Sequence, residues 1–120
     1  MTMPADELKN ALQDTSEIDL TVTGRKSGRE SSRPIWFVQE GDRLLLLPVS
    51  GSASNWYRNL LKTPEVGLAA GGAEVRANAN PIEDPAGVAD VLEKFRGKYG
   101  ADQVEKYYAN EDAAVAVPLG

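Results

Sequence analysis

The alternation of apolar and polar positions predicts that the first half of the chain forms short strands. Residues 18–23 alternate between the two classes, as expected of a strand with one buried face. A second strand is predicted over about 32–39 and a third over 43–49. Residues 35–38 are apolar at every position. The second strand is therefore either buried on both faces or leaves an aromatic side chain facing a ligand.

The same pattern predicts three further strands in the second half of the chain. Residues 65–70 and 73–80 are each typical of a strand, and Gly71-Gly72 between them is typical of a tight hairpin turn. The apolar residues 113–119 predict a short final strand. Pro34 has no N–H to donate, so it places the second strand at a sheet edge or marks the entry of that strand.

In other segments the apolar residues recur at the spacing of a helix. Leu8 and Leu12 share one face of a short amphipathic helix. Ser54 is a favourable N-cap for a helix that Pro64 stops, and Asp84 is a favourable N-cap for a longer one. Helices are therefore predicted over residues 1–13, 55–62, 85 to about 99, and 102–109.

The order of these elements predicts the α+β class. About six short strands are mostly connected as hairpins, with helices inserted after the third and the fifth, which favours a small, mainly antiparallel barrel with flanking helices. At 120 residues the chain has the size of one domain. We assign residues 1–16 to an N-terminal helical segment and residues 17–120 to the barrel domain.

Composition narrows the chemistry. The chain has no cysteine and no histidine, which excludes a thiolate nucleophile, a Ser-His-Asp triad and a zinc site of the usual Cys/His kind. No metal is therefore expected. If the protein is an enzyme, a cofactor is expected to carry the reaction.

The net charge of −5 argues against nucleic-acid binding, which needs a basic surface. The first residues are polar and contain no apolar core of a signal peptide. The longest apolar run is too short to span a bilayer. A cytoplasmic location is expected, and the short amphipathic first helix leaves peripheral membrane contact open.

Residues 24–29, Gly-Arg-Lys-Ser-Gly-Arg, form a basic loop between the first two strands. Gly24 and Gly28 allow the backbone a positive φ at either end of the loop. Such a loop in an acidic protein suits an anion, most simply the phosphate of a small molecule. The alternative is a solvated turn whose charges only aid solubility.

Three stretches together resemble the deazaflavin-dependent nitroreductase family of split β-barrel flavin/deazaflavin oxidoreductases. They are residues 20–28 followed by 34–38, residues 55–60 running into 64–66, and residues 114–119. Their order and spacing extend the resemblance over roughly residues 17–119. The family's split β-barrel agrees with the barrel predicted from the strands.

The resemblance implies the reduced deazaflavin coenzyme F-420 as hydride donor to a quinone, a nitro compound or another electron-poor conjugated substrate. It implies that the basic loop holds the phosphate and oligoglutamate tail, with Arg29 and Arg33 as either second-line contacts or plain surface charge. The ring would lie against a wall of strand residues, and Ser50 would lie near the ring or its linker. The implied cofactor-binding residues are Arg25, Lys26, Ser27, Gly28, Pro34, Ile35, Trp36 and Ser50.

The chain departs from the family pattern at two places. Gly51 stands where a lysine is common, and the loop that follows is shorter. Of the tyrosines that crowd the substrate pocket in nitroimidazole-reducing members, Tyr99 matches the first and is a candidate proton donor. Tyr107 and Tyr108 substitute for later ones if the helix has the right register, so nitro-drug reduction is the less favoured activity.

Other functions on the same fold stay open at this point. The chain could be a non-catalytic binder of an amphipathic ligand such as a lipid or a haem-derived pigment, and the missing lysine favours that alternative. An oxidoreductase that uses FMN in place of the deazaflavin is a second alternative. The oligomeric state stays open, with a homodimer as one candidate, and a structural homodimer with no ligand is the third alternative.

Overall fold

The computed structural model describes residues 4–13, 15–107 and 112–119. The helices are α1 (Pro4–Leu12), α2 (Asn55–Lys62), α3 (Pro85–Tyr99) and α4 (Ala101–Tyr107). The strands are β1 (Glu17–Thr23), β2 (Glu30–Trp36), β3 (Val38–Glu40), β4 (Arg43–Leu46), β5 (Glu65–Ala70), β6 (Ala73–Asn78), β7 (Asn80–Ile82) and β8 (Ala114–Pro118). A 3-10 turn covers Gly51–Ala53. No helix in these described segments has the length and apolarity needed to cross a bilayer.

The strands form two four-stranded sheets in which neighbouring strands run antiparallel. The first sheet has the order β2-β1-β5-β6 and the second has the order β3-β4-β8-β7. Pro34 therefore lies on an edge strand, as predicted. The α+β class and the mainly antiparallel barrel with flanking helices are confirmed.

Two of the predicted strands each serve both sheets, so the described part of the chain has eight strands where about six were expected. The chain passes from the first sheet to the second at Phe37, between β2 and β3, and again at Ala79, between β6 and β7. At Ala79 the backbone N–H donates to the Pro64 carbonyl over 2.8 Å. This bond continues the β5–β6 register one pair beyond Glu65 and Asn78, so the strand stays with the first sheet as far as Ala79 and pairs with β8 from Asn80 onward.

The barrel interior is one apolar cluster between the two sheets. Alternate residues of strands from both sheets are buried in it, as are side chains of α1 and α2. The strand residues include Ile18, Leu20, Val22, Leu44, Leu46, Val66, Leu68, Val115 and Val117. Burying one such side chain contributes about 1.5–3 kcal/mol, so this cluster is the main stabilising feature of the fold.

A second apolar cluster covers the other face of the second sheet. Its members are Leu45, Leu47, Val88, Val91, Leu92, Phe95, Val104, Ala114 and Ala116, from β4, the segment after β4, β8, α3 and α4. Residues 35–38 divide between the two clusters in the same way. Ile35 and Phe37 pack with the barrel interior, whereas Trp36 and Val38 pack with the second cluster. The continuous apolar run therefore marks a strand region with apolar contacts on both faces, in which Phe37 is fully buried and Ile35, Trp36 and Val38 are partly buried.

Helix α1 packs against the barrel. Leu8 and Leu12 are buried in the interior cluster. A Cβ added at Gly71, which has φ +56°, would come within 2.8 Å of the Ala11 Cβ. The glycine thus serves both the β5–β6 turn and the close approach of the helix, and the N-terminal segment shares the core of the barrel domain.

Local sequence rules fix both ends of α3. The Asp84 side chain accepts a hydrogen bond from the Gly87 N–H over 2.8 Å, and Pro85 occupies the first turn. Gly100 ends the helix with φ +94°, a conformation that favours glycine. The N-cap role predicted for Asp84 is confirmed.

Removing this cap is expected to weaken the fold. An Asp84→Ala variant should have a free energy of unfolding lower by about 1 kcal/mol, because the Gly87 N–H loses its acceptor. Urea denaturation at pH 7 measures the change. Glu105→Ala, on the exposed surface of α4, is the control and should leave the free energy of unfolding unchanged. Equal stabilities of the two variants would contradict the capping role.

Candidate functional site

A cleft of about 500 Å³ lies between the edge strand β2 and the segment that follows β4. Its lining residues are Glu17, Arg33, Pro34, Ile35, Trp36, Leu47, Val49 and Trp56. Two indoles and several aliphatic side chains make the walls apolar, and one carboxylate and one guanidinium carry the charge. Three of the predicted cofactor-binding residues, Pro34, Ile35 and Trp36, are therefore brought together here.

Arg33 is the cation of this cleft. It lies opposite Leu20 of β1 in the β1–β2 register and is exposed because β2 is an edge strand. Within the described part of the chain its guanidinium makes no hydrogen bond or ion pair, so it is free to bind an anion. The sequence analysis ranked Arg33 below the loop cations, since residue type alone cannot show which cation reaches a cleft.

The basic loop is docked on α2. The Arg25 backbone N–H and one guanidinium nitrogen, Nη1, both donate to Asn59 Oδ1, over 3.1 and 2.8 Å. Lys62 Nζ donates to the Arg25 carbonyl over 2.7 Å. Arg25 therefore fastens the loop to the helix that carries Trp56, and it is not one of the described residues lining the cleft.

The remaining loop residues face solvent. The Ser27 hydroxyl accepts a hydrogen bond from the Arg29 N–H over 3.2 Å, so its oxygen is used within the turn. Gly28 has the predicted positive φ, +71°, but the same prediction is wrong for Gly24, where an added Cβ would lie 2.7 Å from the Ser27 hydroxyl and displace it. Lys26 is exposed. The structure thus places Arg25, Lys26, Ser27 and Gly28 beside the cleft's helix and not on the cleft wall.

Ser50 lies in the connection between β4 and α2, directly after the cleft residue Val49. Its backbone N–H donates to the Ser54 hydroxyl over 3.0 Å. Ser54 is the N-cap residue of α2, as predicted, but its side chain makes no cap bond and instead fastens this connection. Gly51 has φ +57°, so a lysine at this position, as is common in the family, would be strained.

The Tyr99 side chain lies behind Trp36. The two rings stack with centroids 4.2 Å apart and planes 7° from parallel. The Tyr99 hydroxyl accepts from the Phe37 N–H over 3.1 Å and lies 2.7 Å from the Phe37 carbonyl and 2.8 Å from the Ser16 carbonyl. Burial raises the pKa of Tyr99 to about 12. Its hydroxyl is thus occupied by backbone groups and is not on the described cleft lining.

The other two predicted pocket tyrosines are not placed in the cleft. Tyr107 is the last residue of α4, and nothing is described of its side chain. Tyr108 lies outside the described residues.

Lys98, near the C-terminal end of α3, is not among the residues selected from the sequence. Its ammonium donates to the Phe37 carbonyl over 2.8 Å and lies 3.5 Å from the centroid of the Phe37 ring. Burial lowers the pKa of Lys98. No pattern in the sequence links it to Phe37, which lies 61 residues earlier.

Tyr57 of α2 is fully buried in the barrel interior. Within the described part of the chain its hydroxyl has no hydrogen-bond partner. Burial, followed by the negative charges of Glu83 and Asp112, raises the pKa of Tyr57 to about 12. Asp112 itself accepts hydrogen bonds from the Ser52 backbone and hydroxyl, over 2.7 and 2.6 Å.

A Tyr57→Phe variant is expected to lose less stability than the native protein between pH 7 and pH 11, because phenylalanine has no proton to lose. In the native protein, the contribution of Tyr57 is intact below its usual pKa of 10.0 and falls as pH rises toward 12, since the unfolded chain loses its proton first. Urea unfolding at pH 7 and 11 should therefore show a smaller alkaline loss in the variant. Equal losses would contradict the raised pKa.

Comparison with known proteins identifies the family of this chain. The family model of the F420H(2)-dependent quinone reductases matches residues 4–117. The chain belongs to this family. The deazaflavin-dependent family predicted from the motifs is thereby confirmed, and the protein is a deazaflavin-dependent reductase.

Several solved structures have a fold similar to that of this reductase. One is an F420-H2 dependent reductase (FDR-A), 19% identical, with a TM-score of 0.67 over 85% of this chain and 93% of that one. A protein described as a domain-swapped dimer is 18% identical, with a TM-score of 0.69 over 87% and 81%. HutZ, a haem storage protein from Vibrio cholerae, is 17% identical, with a TM-score of 0.70 over 93% and 87%. At these identities the likeness establishes the split-barrel fold.

Proposed function

We propose that this reductase binds coenzyme F-420 in the cleft beside β2 and reduces a quinone. The observation that carries the proposal is a cleft with two indoles and one unpaired guanidinium in a member of a deazaflavin-dependent family. Trp36 and Trp56 offer apolar surface to a planar ring system. The residues present therefore fit a cofactor that combines an aromatic ring with an anionic side chain.

Arg33 holds an anionic group of the cofactor at the cleft. Guanidinium groups bind phosphate and carboxylate through paired hydrogen bonds. Lys26 and Arg29 are exposed on the same hairpin, and neither side chain is paired within the described residues. The basic loop ends where β2 begins, at Glu30. At about 3.3 Å per residue along the strand, this end of the loop lies on the order of 10 Å from Arg33. An extended anionic tail running from Arg33 toward the loop would meet these cations in turn.

The chemistry of the reaction belongs to the bound cofactor, which supplies a hydride. The chain supplies an apolar cleft that aligns flat reactants and limits access of water. Glu17 lines the cleft and is exposed, so the cleft opens to solvent on this side. Solvent can therefore supply any proton that the product needs. An apolar, planar acceptor such as a quinone suits these walls better than a charged one.

Fluorescence titration of the purified protein with coenzyme F-420 and, separately, with FMN tests the proposed function. We expect saturable binding of F-420 and, with the reduced coenzyme, reduction of a soluble quinone such as menadione. Saturable FMN binding without F-420 binding would overturn the proposal in favour of a flavin enzyme. Binding of haem but of neither flavin nor deazaflavin would favour the carrier alternative.

Association into a homodimer belongs to the same proposal. Val49 and Leu61 are large apolar side chains with 51% and 47% of their surface exposed. Light scattering with size-exclusion chromatography tests whether two chains associate, and a monomeric mass at all concentrations would contradict it.

A further inference from the structure

The corner between β2 and β3 is held by side chains from the end of α3. At this corner the chain leaves the first sheet, so Phe37 loses its ladder partners. Its N–H donates to the Tyr99 hydroxyl over 3.1 Å, and its carbonyl accepts from Lys98 Nζ over 2.8 Å. The position of the corner therefore depends on α3.

Trp36 directly precedes this corner and is a wall of the cleft. One face of its indole is covered by Tyr99, nearly parallel at 4.2 Å. Tyr99 in turn rests on Phe95, whose ring centroid is 5.8 Å away and which is fully buried. The cleft wall is thus the outermost of three aromatic side chains, and the two behind it both come from α3.

We propose that Tyr99 is a positioning residue for the cofactor site: its ring and its hydroxyl together fix the Trp36 indole as a wall of the cleft. The inference rests on the proposed function, because it concerns the surface against which the cofactor ring would lie. Tyr99 acts through Trp36 and the Phe37 corner, and it touches neither cofactor nor substrate.

A role as proton donor fits the contacts less well. The Tyr99 hydroxyl lies within hydrogen-bond distance of the Phe37 and Ser16 carbonyls, to which its single proton can be donated. The burial of this hydroxyl also disfavours loss of its proton. A stacked, backbone-bonded tyrosine is instead suited to holding a neighbour in one rotamer.

Loss of the stack would remove the ring that covers one face of the Trp36 indole and so weaken the preference of Trp36 for its present rotamer. Ligand binding would then have to order the ring, which weakens binding without removing any group that contacts the ligand. Tyr99→Leu removes the ring and the hydroxyl, whereas Tyr99→Phe keeps the stack and removes only the hydrogen bonds. The two variants therefore separate the two parts of the clamp.

Two measurements test the positioning role. In a Trp56→Phe background, acrylamide quenching of the remaining indole reports on Trp36 without ligand. In the otherwise native protein, fluorescence titration gives the Kd for coenzyme F-420. Val91→Ala is the matched control, since Val91 is buried in the same helix and the same cluster but is not part of the aromatic stack.

We expect faster quenching of Trp36 in Tyr99→Leu and a Kd for F-420 raised about tenfold, equivalent to about 1.4 kcal/mol. Tyr99→Phe should lie between Tyr99→Leu and the native protein, and Val91→Ala should match the native protein in both measurements. Quenching and Kd that are the same in all three variants would overturn the proposal. If the native protein binds no F-420, the proposed function fails, and quenching alone decides whether Tyr99 fixes Trp36.

Discussion

An Arg33→Ala variant is expected to bind coenzyme F-420 about 10- to 100-fold more weakly than the native protein. A hydrogen bond to a charged group contributes about 1.5–3 kcal/mol, and each 1.4 kcal/mol is about a tenfold change in Kd. Arg33 has no side-chain partner within the described residues, so its removal should leave the midpoint of thermal unfolding unchanged. Fluorescence titration and thermal denaturation measure the two effects.

Arg25→Ala is the matched comparison and should show the opposite balance. Arg25 is bonded to Asn59 and lies 3.5 Å from the Asn55 carbonyl. Its removal frees the loop from α2 and should lower the unfolding midpoint, with a smaller effect on Kd. The Kd of the native protein should also rise more steeply with ionic strength than that of Arg33→Ala. Equal Kd values for native and Arg33→Ala proteins would contradict an anion site at Arg33.

Phe95→Ala is expected to lower the free energy of unfolding by about 3–5 kcal/mol, as is typical when a buried aromatic side chain is truncated. Phe95 is fully buried between α3 and the second sheet. Such a loss is a large part of the about 5–15 kcal/mol that stabilises an ordinary domain. Urea denaturation followed by circular dichroism measures it.

Gln103→Ala provides the control for this loss. Gln103 is exposed on α4, so its truncation should change the free energy of unfolding by less than about 0.5 kcal/mol. Similar losses in the two variants would contradict the role of α3 as the cover of the second sheet.

Elements set by neighbouring residues could be predicted from the sequence. The alternation in residues 65–70 and the turn at Gly71-Gly72 led directly to the β5–β6 hairpin. Asp84 led to the start of α3. The corner at Phe37 could not be predicted, because its backbone groups bond to Tyr99 and Lys98, which are distant in sequence.

The candidate site, too, could be predicted only where it does not depend on contacts between residues that are distant in sequence. The resemblance to the deazaflavin-dependent family led to Pro34, Ile35 and Trp36 as a cleft wall, whereas the apolar run alone left open whether it was buried or faced a ligand. The roles of Arg25 and Arg33 differ because Asn59, 34 residues after Arg25, engages one guanidinium and leaves the other free. Spacing along the chain carries no information on such a choice between two arginines.

The place of β8 in the second sheet has a consequence for biosynthesis. The first sheet uses strands that end at residue 78, so it is complete before the last third of the chain leaves the ribosome. The second sheet has β8 between β4 and β7, and β4 pairs Arg43 with Pro118. Such distant pairing is slow to form. In a nascent chain the edge of β4 that pairs with β8 therefore stays unpaired until β8 has emerged from the ribosome.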